Sequence, residues 1–223
     1  MTTLAIDTAT RTIGIGIARA DEVLYEKSWR SDNFHTVELA PAAKLAFKES
    51  GLRKRAIKHI AIAIGPGSYT GLRIGLAFAK GFAFGPSLPI IPVPTLDILA
   101  AGHPLDERQL LAIIQAGRGR LNAQAYQAKD GAWQAQGEAY LTTLEEIYAA
   151  VKKPTLLCGE LSAEQRKRLG RKHKLVQLAP PALSLRRPAV LAHLGIQALE
   201  SEEAPASSAL SPNYLKTAAN LPA

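Results

Sequence analysis

Isoleucine alternates with small residues near the start of the chain: Ile13, Ile15 and Ile17 are separated by Gly14 and Gly16, and Ala18 follows. A period of two predicts a strand with one bulky and one small face. Leu4-Ala5-Ile6, ending at Asp7, and Val23–Trp29, entered through Ala20-Asp21, predict its neighbours, the three forming an antiparallel meander. Val37, Leu39, Ala43, Leu45, Ala46 and Phe47 have helical spacing, predicting a helix over 35–50 stopped at Gly51, with Pro41 calling for a kink or a later start. Ile60, Ile62 and Ile64 alternate with Ala61 and Ala63, a fourth strand whose small residues call for close packing on one side and a helix layer on the other. A Gly/Pro loop, a helix from Thr70 to Phe84, a strand at Pro89–Val93 and a helix at Thr95–Ala101 complete the order βββαβαβα.

Gly102-His103-Pro104 marks a break. Beyond it the pattern predicts a hairpin, Leu110–Gln115 and Leu121–Gln127, turning at Gly117-Arg118-Gly119. A helix over 142–151 follows, capped by Thr142 or Thr143 with Glu145-Glu146 in its first turn. Strands at Thr155–Cys158 and Leu175–Leu178 flank a basic helix at Ala163–Leu169, and a helix at Arg187–Leu199 precedes an Ala/Ser/Pro-rich tail. The second half repeats the logic of the first more weakly. The expectation is an α/β protein of two lobes, residues 1–101 and 102–223, each a mixed sheet with flanking helices.

Composition adds limits. At 223 residues, 47% hydrophobic and 21% charged, the chain can bury a core and is not generally disordered. Cys158 stands alone, so no intrachain disulfide forms and a reducing compartment is expected. Met1 leads straight into a strand-like run, with neither a secretory pattern nor an apolar stretch of spanning length, so a cytoplasmic, membrane-free protein is expected. The net charge of +8 is concentrated: Lys152–Arg187 holds ten Lys/Arg against Glu160 and Glu164. Such a block suits a polyanion such as RNA. It equally suits a solvated helix face, having no interleaved aromatics.

Gly65-Pro66-Gly67-Ser68 leaves a strand and enters a helix, where backbone amides and the helix dipole can hold an anion. Glycine allows close ligand approach, and Ser68 can cap the helix or bind a phosphate oxygen. It is no Walker loop, since Leu72 follows Gly71, and no dinucleotide fingerprint, since Thr70 stands at the third glycine position. A phosphate cradle and a tight capped turn are both open on this chemistry. The five histidines (His35, His59, His103, His173 and His193) include no pair at i, i+3 or i, i+4, so no metal is expected. Between residues 70 and 85 only Arg73 and Lys80 are charged; Leu72, Leu76, Ala79 and Ala83 form one stripe and Gly75, Phe78, Phe82 and Gly85 another. A helix apolar nearly all round must be covered on both sides.

Leu4-Ala5-Ile6-Asp7-Thr8-Ala9-Thr10, His35-Thr36, Gly65–Gly75, Ala79-Lys80-Gly81 and Pro212-Asn213-Tyr214-Leu215-Lys216 together resemble the TsaB (YeaZ) family, dimerisation subunits of the bacterial machinery that makes threonylcarbamoyladenosine in tRNA. The resemblance is dense over 4–101 and sparse afterwards. It implies an actin-like, ribonuclease-H-like (ASKHA) fold, and a non-catalytic subunit that pairs with a catalytic paralogue, TsaD, with an ATPase, TsaE, docking on the pair. Homodimerisation of the chain alone stays open. The helices at 35–50 and 70–85 are then expected to offer Leu39, Ala43, Leu72, Leu76, Ala79 and Ala83 to the partner. Asp7, Gly65, Gly67 and Ser68 are candidate phosphate contacts, although Thr8-Ala9 stands where nucleotide-handling relatives carry glycine. ATP or ADP is expected only at the subunit junction, and tRNA indirectly or through Lys152–Arg187. Where the family commonly has an Asp in its second-lobe first strand, this chain has Gln115-Ala116-Gly117, and Lys216 stands where Arg often follows Leu. The alternative is an autonomous ASKHA-type ATPase or phosphotransferase using Asp7 and the Gly65–Ser68 loop.

Overall fold

A computed structural model describes residues 1–32, 35–172, 174–201 and 210–215, with no side-chain detail for 170–172. The first half forms β1 (Thr3–Asp7), β2 (Thr12–Ala18), β3 (Val23–Arg30), α1 (His35–Glu49), β4 (His59–Ala63), α2 (Tyr69–Phe84), β5 (Ile90–Val93) and α3 (Thr95–Ala101). The second forms β6 (Gln109–Gly117), β7 (Arg120–Lys129), β8 (Ala132–Thr142), α4 (Leu144–Ala150), β9 (Thr155–Gly159), α5 (Ala163–Lys172), β10 (Val176–Leu178) and α6 (Pro188–Glu200).

The first sheet runs β3-β2-β1-β4-β5 and the second β8-β7-β6-β9-β10. In both, the first three strands of the half are antiparallel and the last two parallel. One plan is used twice.

The alternation in β1, β2 and β4 separates two helix layers. Leu4, Ile6, Ile15, Ile17, Ile60 and Ile62 share a core with Leu39 and Ala43 of α1 and Leu76 and Ala79 of α2. On the other side Ala5, Ala61 and Ala63 pack with Leu191 and Ala192 of α6. The fit there is close: a Cβ on Gly14 or Gly16 would lie 2.6 or 2.8 Å from Pro188, and one on Gly195 would lie 2.6 Å from Ala61 Cβ. Small residues on both partners let α6 lie against the sheet.

The chain divides into two compact units, Met1–Ile98 with Arg186–Asn213, and Leu99–Leu185 with the chain from Tyr214. The expected lobe boundary, 1–101 against 102–223, is thereby corrected. The segment from Arg186 to Asn213 returns to the first unit, where α6 covers the small face of its sheet. Helix α1 begins at His35 and runs through an exposed Pro41. Strand β8 is a further addition. A left-handed Gly137 (φ 71°) and a register shift at Ala123/Ala125 interrupt its alternation. Gln124 Nε2 holds that irregularity by donating to the carbonyls of Gln136 and Gly137 at 3.2 and 3.1 Å.

Candidate functional site

The glycine loop is closed by the protein itself. Ser68 caps α2, its Oγ accepting from the Gly71 amide at 3.2 Å, while the Ser68 amide donates to Ala9 O at 2.6 Å. The β1–β2 turn lies directly on the loop and helix: an added Cβ would sit 2.4 Å from Ala9 O at Gly67, 2.2 Å from Thr8 O at Gly71 and 2.2 Å from Thr8 Oγ1 at Gly75. At Gly65 (φ 116°) it would meet Asn213 O at 2.2 Å, and the Asn213 amide donates to Ile64 O at 2.7 Å. The close approach these glycines permit is taken by Thr8, Ala9 and Asn213, and the tight capped turn is the reading the geometry supports.

Asp7 is occupied as well. Arg186 Nε donates to Asp7 Oδ2 at 2.6 Å, with the two side chains 1% and 3% exposed, and the Ala9 amide donates to Oδ1 at 2.9 Å. Arg186 Nη2 donates to Thr10 Oγ1 at 2.8 Å and to Thr12 O at 2.7 Å. His35 Nε2 lies 3.0 Å from Thr10 O, fastening the start of α1 to the same turn. A buried carboxylate is tolerated only when so paired and hydrogen-bonded.

The residues expected to face a partner point inward. Leu39, Ala43, Leu76, Ala79 and Ala83 belong to the core between sheet and helices, and Leu72 lies with the residues packed near α6. Because α2 is apolar all round, periodicity alone does not say which stripe faces the sheet. Its outward face carries Tyr69 and Phe84, 54% and 87% exposed, with exposed Ala77 and Gly81 between them and half-buried Ile74 and Phe78 alongside. Arg73 stacks 3.8 Å over the Tyr69 ring, and Lys80 donates to Leu210 O at 3.1 Å. A Cβ on Gly81 would meet nothing within 4 Å among the described residues. The exposed residues of this face are Tyr69, Thr70, Arg73, Ala77, Lys80, Gly81 and Phe84, a mixed surface with small Ala77 and Gly81 among aromatic and cationic side chains.

A family model described as TsaD, tRNA N6-adenosine threonylcarbamoyltransferase, matches residues 30–215. The tRNA threonylcarbamoyladenosine biosynthesis protein TsaB of Bacillus subtilis is 37% identical over 131 residues, which cover 59% of this chain and 57% of that one. The chain belongs to this family and, within it, to TsaB (YeaZ). TsaB of Escherichia coli is 34% identical over 136 residues, 60% of this chain and 58% of its own. The chain thus spans little more than half the length of these curated TsaB relatives. YeaZ from Pseudomonas aeruginosa superimposes with a TM-score of 0.76 at 23% identity, covering 96% of this chain and 99% of that one. The activator of the 2-hydroxyisocaproyl-CoA dehydratase from Clostridium difficile, solved with bound ADPNP, superimposes with a TM-score of 0.53 at 11% identity over 91% and 97%. These likenesses make the fold ASKHA.

A fold that holds a nucleotide analogue elsewhere raises the question whether the first unit's residues fit a phosphate. They do not. Asp7 faces a guanidinium, the Ser68 amide is bonded to Ala9, and Thr8 and Ala9 fill the space beside the glycines. Among the described residues no group of three or more His, Cys, Asp or Glu is arranged to hold a metal. His59, buried beside Thr3, has its pKa pushed down to about 4, chiefly by burial. Burial pushes the Cys158 thiol up to about 12, which keeps it protonated and unreactive.

The second unit carries a loop that sequence reasoning missed. Gly159 ends β9 with φ 115°, and its added Cβ would lie 2.0 Å from Ile113 O. Ser162 then caps α5, its Oγ accepting from the Gln165 amide at 3.1 Å while Gln165 Oε1 accepts from the Ser162 amide at 2.8 Å. Gly65-x-x-Ser68 and Gly159-x-x-Ser162 each set a left-handed glycine three residues before a capping serine, between strand and helix, although only the first has a cis peptide, at Gly65-Pro66. The basic block is less uniform than its composition. Arg166 donates to Ala179 O and Ser184 Oγ at 2.9 and 3.0 Å, Arg168 pairs with Glu145, Arg186 with Asp7 and Arg187 with Glu26. Lys152, Lys153, Lys167 and Lys174 are exposed. Lys216 and His173 lie outside the described residues.

Proposed function

We propose that this chain takes part in making threonylcarbamoyladenosine in tRNA as a non-catalytic subunit that pairs with a TsaD-type catalytic paralogue, on which a TsaE-type ATPase docks. The observation that carries the reading is the outward face of α2, where exposed Tyr69 and Phe84 and small Ala77 and Gly81 stand among Arg73 and Lys80. Small residues let a partner helix approach closely, and aromatic and Arg side chains are the usual anchors of such contacts. The closed state of Asp7 and the glycine loop speaks against the alternative, an autonomous ATPase or phosphotransferase built on those residues. ATP or ADP is assigned to the junction of the assembled complex and not to this chain alone.

Co-purification with the catalytic paralogue tests the reading. The wild-type chain is expected to form a defined heterodimer. Gly81→Glu, whose Cβ would meet nothing within 4 Å among the described residues, is expected to abolish it while leaving the thermal midpoint within a few degrees. No association at micromolar concentration sinks the proposal. Calorimetry with millimolar ATP tests the second part, with no binding expected for the isolated chain.

A further inference from the structure

The two units use the same hairpin differently. In the first, the β1–β2 turn is buried against α2, Thr8 and Ala9 being fully covered. In the second, β6 and β7 have nine and ten residues against five and seven for β1 and β2, and their turn is exposed at Gly117, Arg118 and Gly119, with Arg120 half-buried. That turn reads Gly117-Arg118-Gly119-Arg120. Gly117, Arg118 and Gly119 are all left-handed (φ 75°, 53° and 74°), and a Cβ on either glycine would meet nothing within 4 Å. Left-handed Arg118 and Gly119 form the two-residue connection whose twist matches the strands, so the tip is held firmly. At its base Gln115 Nε2 donates to Glu160 O at 2.7 Å and to Gln165 Oε1 at 3.0 Å, joining the hairpin to the first turn of α5. Residues 115–120 and 160–169 hold Arg118, Arg120, Arg166, Lys167 and Arg168 against Glu160 and Glu164, with Arg166 bonded to Ala179 and Ser184 and Arg168 paired with Glu145.

We propose that this hairpin tip, with the adjoining α5, is an RNA-binding surface on which Arg118 and Arg120 contact backbone phosphates. Guanidinium groups match phosphate geometry in bidentate fashion, and a preformed turn loses little freedom when it binds. The tip has no bulky apolar anchor of the kind an acidic protein partner would need, whereas phosphate contacts need none. The identity of the RNA as transfer RNA rests on the function proposed above. The surface differs from the basic block seen in the sequence, since Arg186 and Arg187 serve the first unit instead.

The test is fluorescence anisotropy with a labelled, unmodified transfer RNA transcript and the full chain, alone and in the heterodimer, across a salt series. Binding of the wild type is expected to weaken steeply with salt. Arg118→Ala/Arg120→Ala is expected to bind roughly tenfold more weakly at physiological salt and to flatten the log–log slope by about 1.5, as two lost phosphate contacts require. Heterodimer formation by the same variant is expected to be unchanged, so failure of pairing and failure of RNA binding are read separately. An unaltered slope in the double variant overturns the proposal, as does the absence of any transcript binding in both forms. Preference for a labelled polyglutamate peptide over the transcript overturns it in favour of an acidic protein partner.

Discussion

Removing the Arg186 side chain would leave the Asp7 carboxylate buried without its cation. An uncompensated buried charge typically costs about 3–5 kcal/mol, so Arg186→Ala is expected to lower the urea midpoint severely. The glycines make a sharper contrast. Gly71→Ala forces a methyl against the Thr8 carbonyl and is expected to cost about 1–3 kcal/mol, whereas Gly81→Ala enters open space and is expected to stabilise α2 by roughly 0.5–1 kcal/mol. Differential scanning calorimetry of the two variants decides this, and equal melting points would refute the packing account. His59 sets a pH dependence. Its folded pKa of about 4 lies below the ordinary 6.5, so the unfolded chain binds the extra proton first. Its contribution to stability is complete above about pH 6.5 and declines as pH falls towards 4, by at most about 3 kcal/mol. His59→Gln is expected to flatten that slope in chemical denaturation between pH 4 and 7. At this scale the sequence was legible only in part. Ser68 as a possible cap followed from its place before a helix, but Asp7 has its partner 179 residues away, a distance no local pattern spans.

Helix α2 shows what periodicity decides and what it leaves open. Its limits were readable from Gly/Pro punctuation and from the capping serine, and its existence from its length. Its orientation was not, because an apolar residue on either face gives the same signal. The inward set, Leu72, Leu76, Ala79 and Ala83, and the outward set around Ala77, Gly81 and Phe84 therefore predict opposite phenotypes. Leu76→Glu is expected to unfold the first unit, because a charge would enter the core. Ala77→Glu is expected to leave far-ultraviolet circular dichroism unchanged while preventing association with the catalytic paralogue. Strand β8 escaped for a different reason: its bulged register and left-handed glycine break the period of two that announces a strand.

Across the whole molecule, the duplicated strand order was foreshadowed by two runs of strands followed by alternating helices and strands. The order itself, with each half's first strand at the centre of its sheet, follows from pairings between distant segments. What the linear reading misassigned was α6, which follows the second half in sequence but completes the first unit in space. The signal existed in the small residues Gly14, Gly16 and Ala61, which call for a close neighbour, yet nothing local names Pro188 and Gly195 as that neighbour. A chain ending at Leu185 is expected to lose the first unit's protection from proteolysis while the second unit's fragment persists.

The interruption of the first unit by the second also has a consequence for synthesis. Residues 99–185 must be made before α6 exists, a delay of roughly 4–17 s at about 5–20 residues per second. During that interval the small-residue side of the first sheet has no cover, while every strand of the second unit becomes available. The later-encoded unit is thus positioned to finish first on the ribosome, and the earlier one to close only when the last helix emerges. A force-profile measurement with arrest peptides is expected to show the two folding events in that inverted order.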